Sequence, residues 1–74
     1  MSEFKDLNVY DPPYLALLQR SYEDACDRLG MTPDTPEAER DELAKLVMSV
    51  VASGEREASA AASTAIVLLR AKPR

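Results

Sequence analysis

Three stretches of the chain place apolar side chains at helical spacing, with polar and turn-forming residues between them. In the first, Leu15, Leu18, Tyr22, Ala25 and Leu29 recur at steps of three and four, which is the repeat of one helix face. The other face carries Gln19, Arg20, Glu23, Asp27 and Arg28, expected to be solvated. Asp11 and Pro12 mark the start. An aspartate side chain can accept from free N–H groups as N-cap, and a proline in the first turn lacks an N–H that would go unpaired there. Gly30 supplies the left-handed residue that ends a helix. The pattern predicts a helix over about 12–29.

After the connection MTPDT, the pair Thr35-Pro36 repeats the device of Asp11-Pro12. Glu37, Glu39, Asp41 and Glu42 then fill the early turns, where negative charge meets the positive end of the helix dipole. Leu43, Leu46, Val47, Val50 and Val51 follow at helical spacing, and Gly54 closes a second predicted helix over about 36–53. Glu55, Arg56 and Glu57 lead into a third over about 56–71, with Ser59 a weak capping candidate and Pro73 beyond the end. No segment combines strand alternation with turn signals. The expected fold is an all-α, small three-helix bundle forming one domain over 1–74. Residues 1–11 are expected to be an irregular N-terminal arm, packed across the bundle through Phe4, Leu7, Val9 and Tyr10.

The third helix raises the functional question. Its stretch ASAAASTAIVLL, residues 58–69, has no charge, no aromatic ring and no helix breaker. Twelve helical residues span about 18 Å, well short of the roughly 30 Å of a membrane interior. Ala58, Ala61, Ala62, Ala65, Ile66 and Leu69 share one face. Ala60, Thr64, Val67, Leu68 and Ala71 cover much of the rest, and only Ser59 and Ser63 offer a polar side. A helix apolar nearly all round is normally buried all round. In a three-helix bundle each helix has only two neighbours. The expected association surface is therefore Leu43, Val47, Val50, Ala58, Ala61, Ala62, Ala65, Ile66 and Leu69, with helix 2 beside helix 3. The competing reading takes the alanines as good helix formers in an internal core.

Composition narrows the chemistry. A chain of 74 residues buries only about 60% of its unfolded surface, and small folds often add a disulfide, a metal or a partner. One cysteine and no histidine leave no intrachain disulfide and no zinc spacing, so oligomerisation is the expected stabiliser. Cys26 lies among Glu23, Asp24 and Asp27, which suits a structural thiol rather than a reactive one. Lys45 and Ser49 share a helix face but have no oxyanion partner nearby in sequence. The acids Glu23, Asp24, Asp27, Glu37, Glu39, Asp41 and Glu42 alternate with Arg20, Arg28, Arg40 and Lys45, as in a solvated ion-pair surface. A net charge of −4 disfavours nucleic acid, and a recognition helix at 58–69 has no side chain that reads base edges. No targeting segment is expected in the N-terminal residues, so cytoplasm is the expected location.

These features predict a non-catalytic module without cofactor or metal that forms a homo-oligomer, with a dimer favoured. The alternatives are an adaptor for a helix or tail of another protein, and a site for a small apolar ligand between helices. Residues 40–57, RDELAKLVMSVVASGERE, resemble short uncharacterised helical proteins of alphaproteobacteria, which share an arginine–aspartate start, an apolar run and a Gly-Glu-Arg turn before an alanine-rich helix. The resemblance implies a small helical bacterial protein and no activity. Glu57-Ala58 stands where those proteins often carry Asp-Pro.

Overall fold

The computed structural model describes residues 12–71, which form three helices: α1, Pro12–Leu29; α2, Glu37–Ala52; and α3, Ala58–Ala71. No strand occurs among the described residues. The expected cap Asp11, the N-terminal arm and Pro73 lie outside them.

The helix ends explain the path of the chain. Gly30 has φ 72°, and its N–H donates to Asp27 O at 3.2 Å while Met31 N–H donates to Cys26 O at 2.9 Å. That paired closure ends α1 with a left-handed residue and turns Met31 back onto the core. The same device ends α2: Gly54 has φ 122°, its N–H donates to Val51 O at 3.0 Å, and Glu55 N–H reaches Val50 O at 3.4 Å. A side chain at either glycine would be strained in this backbone region.

The starts differ from the sequence reading. Thr35 does not cap α2. Its Oγ1 accepts from Thr32 N–H at 2.9 Å and so ties the α1–α2 turn. Pro36 takes the N-cap position with an extended ψ of 139° and gives no side-chain cap. The third helix begins two residues later than expected, because Arg56 and Glu57 serve the turn. Arg56 Nη1 donates to Val51 O and Glu55 O, both at 2.9 Å, covering one carbonyl in the last turn of α2 and one in the connecting turn. The Glu55 carboxylate accepts from the N–H groups of Arg56 and Glu57 at 3.1 and 3.2 Å.

The core consists of Ala25 from α1, Leu43, Val47, Val50 and Val51 from α2, and Ala61, Ala62, Ala65 and Ile66 from α3. Four of these nine are alanines, so the helix backbones approach closely and the larger α2 side chains fill the space between them. On α1 the inward stripe differs from the expected one. Ser21 and Ala25 are buried, flanked by Tyr14, Leu17, Leu18, Tyr22, Cys26 and Leu29, whereas Leu15 is 44% exposed. The face follows 14, 18, 21 and 25, and Leu15 lies about 100° around the helix from Tyr14. Ser21 is tolerated inside because its Oγ donates to Leu17 O at 2.7 Å, leaving no unpaired hydroxyl hydrogen.

Leu43→Ala is expected to lower unfolding free energy by about 2–5 kcal/mol through cavity formation. Ala65→Leu is expected to lower it by about 1–3 kcal/mol through overpacking at a fully enclosed alanine. Urea unfolding followed by circular dichroism measures both, and a neutral Ala65→Leu would mean that the contact at α3 is loose.

Candidate functional site

Of the nine residues expected at an association surface, seven lie inside the chain's own core: Leu43, Val47, Val50, Ala61, Ala62, Ala65 and Ile66. Ala58 and Leu69 are half-buried. The physical reason is the run of alanines. Small side chains let α1 and α2 close over this face of α3, which two neighbours then suffice to cover. An arginine at Ala62 would therefore test the fold and not an association.

The other side of α3 is open. Val67 is 63% and Leu68 43% exposed; Thr64 and Ala71 are exposed, and Ala60 is half-buried. Two further large apolar side chains reach solvent elsewhere, Leu15 on α1 and Met48 on α2. Their helices surround them with exposed charge: Arg20, Glu23 and Asp27 on α1, and Glu37, Glu39, Asp41 and Lys45 on α2. The exposed part of α3 carries one charge, Arg70.

The polar edge of α3 is gripped by α1. Arg28 holds Asp24 in a two-pronged pair, Nε to Oδ1 at 3.2 Å and Nη2 to Oδ2 at 2.9 Å. Its remaining donors cross to α3, Nη1 to Ser63 Oγ at 2.6 Å and Nη2 to Ser59 Oγ at 2.8 Å. The sequence assigns Arg28 and Asp24 to a solvated ion-pair surface. It gives one clue to the crossing contact: Ser59 and Ser63, four apart, are the only polar edge of an otherwise apolar helix surface.

The titratable groups make no reactive set. Cys26 is a free, half-buried thiol. It hydrogen-bonds with Tyr22, whose phenol titrates above its ordinary 10.0 because burial disfavours phenolate and Cys26 adds to the effect. Arg40 pulls the other way and Asp41 reinforces the rise. Arg40 Nε is itself buried without a hydrogen-bond partner. Among the described residues no three His, Cys, Asp or Glu side chains gather as metal ligands, and no helix is long and apolar enough to cross a membrane.

Two surface clefts are formed by described residues. One, of about 510 Å³, includes Tyr22, Cys26 and Met31 but is rimmed by Arg20, Glu23, Asp24 and Asp27. The other, of about 540 Å³, lies between the first half of α1 and the start of α3, with Arg20, Arg56 and Glu57 at its edge. Both are charged, solvent-open notches, unlike the enclosed apolar sites that hold small molecules. The chain matches no protein-family model, no curated protein and no solved structure.

Two measurements bear on this geometry. Arg28→Ala is expected to cost about 1 kcal/mol, since the network is exposed, with Arg28→Lys recovering only part of it. Tyr22 contributes stability that is fully present below pH 10 and is lost as pH rises through its elevated folded value. Tyr22→Phe should flatten the stability decline above pH 10, as read by urea unfolding at a series of alkaline pH values.

Proposed function

We propose that this protein is a non-catalytic accessory module that acts by self-association through the exposed side of α3. The single observation carrying the reading is that Val67 and Leu68 stand in solvent on the helix with the least charge. Each copy is acidic, with net charge −4, so most approaches between copies bring like charges together. The α3 side is where two copies meet without that penalty. A half-buried cysteine in a chain with no disulfide suits a reducing compartment, and we assign the module to the cytoplasm on that ground.

The association is weak by its physics. Two valines and two leucines per dimer, each already partly sheltered, contribute on the order of 1–2 kcal/mol apiece. Association itself costs at least about 4 kcal/mol. One helix face also falls below the roughly 800 Å² per partner of a standard stable interface. The balance leaves at most about 4 kcal/mol, a dissociation constant of about 1 mM or weaker.

Sedimentation equilibrium at concentrations up to roughly 5 mM tests the reading. Reversible dimerisation is expected, and Val67→Lys should raise the dissociation constant at least tenfold while leaving the helical circular dichroism unchanged. A wild-type chain that stays monomeric at roughly 5 mM removes the reading. The adaptor alternative would then gain ground, with the same face serving a helix of another protein.

A further inference from the structure

We draw no further inference here: the strongest candidate, the cleft between the first half of α1 and the start of α3, where Arg20 and Arg56 flank the first turn of α3, carries nothing, because it rests on a helix N-terminus with Glu57 on the same rim and no second observation in the structure points to a ligand.

Discussion

Everything in this bundle depends on how closely α3 can be approached. Ala61, Ala62 and Ala65 are fully enclosed, and no side chain on that face is large until Ile66. Alanine costs almost no side-chain entropy to bury and is the strongest helix former, so α3 is both locally stable and thin. The thinness lets Leu43, Val47, Val50 and Val51 of α2 supply the bulk of the core, with Ala25 of α1 closing the third side. A bulkier α3 would hold the helices apart and leave the valines of α2 short of contacts.

The connections work with this packing. Both glycines stand at helix C-termini with positive φ, where the chain reverses without breaking the carbonyl pairing of the last turn. At the α2–α3 corner the polar side chains do double service. Arg56 covers the Val51 carbonyl at the end of α2 while Glu55 covers N–H groups on the way into α3. The α1–α2 corner relies on Thr32 and Thr35 instead, whose hydroxyls hold the turn by local bonds of 2.9 and 3.1 Å. Neither corner needs a disulfide or an ion, which is how a chain this short closes with one cysteine.

The three-helix architecture is readable from periodicity, because helical spacing and terminal glycines leave few other solutions. The phase of each helix is less readable. On α1 both Tyr14 and Leu15 fit a helical stripe, and only packing against the other helices selects the face that includes Tyr14 and Ser21. Ser21 could not be picked out as a core residue, since a serine hides its hydroxyl by bonding back to Leu17, a choice that sequence does not display. The same limit applies to α3. Its apolar side chains look alike in pattern whether they face inward or out, so residues that belong to the interior read as candidates for a contact surface. What separates them is position around the helix: Ala61, Ala62, Ala65 and Ile66 face α1 and α2, while Val67 and Leu68 face solvent.

The Arg28 fork gains its meaning from that ambiguity. A rod greasy on nearly every side has little inherent preference for its roll about its own axis. By seizing two serines one turn apart, the guanidinium fixes that angle like a key in a shaft, and Asp24 keeps the key from turning. The polar grip at the rim thus reinforces the roll that packing selects, and with it the set of residues left facing water.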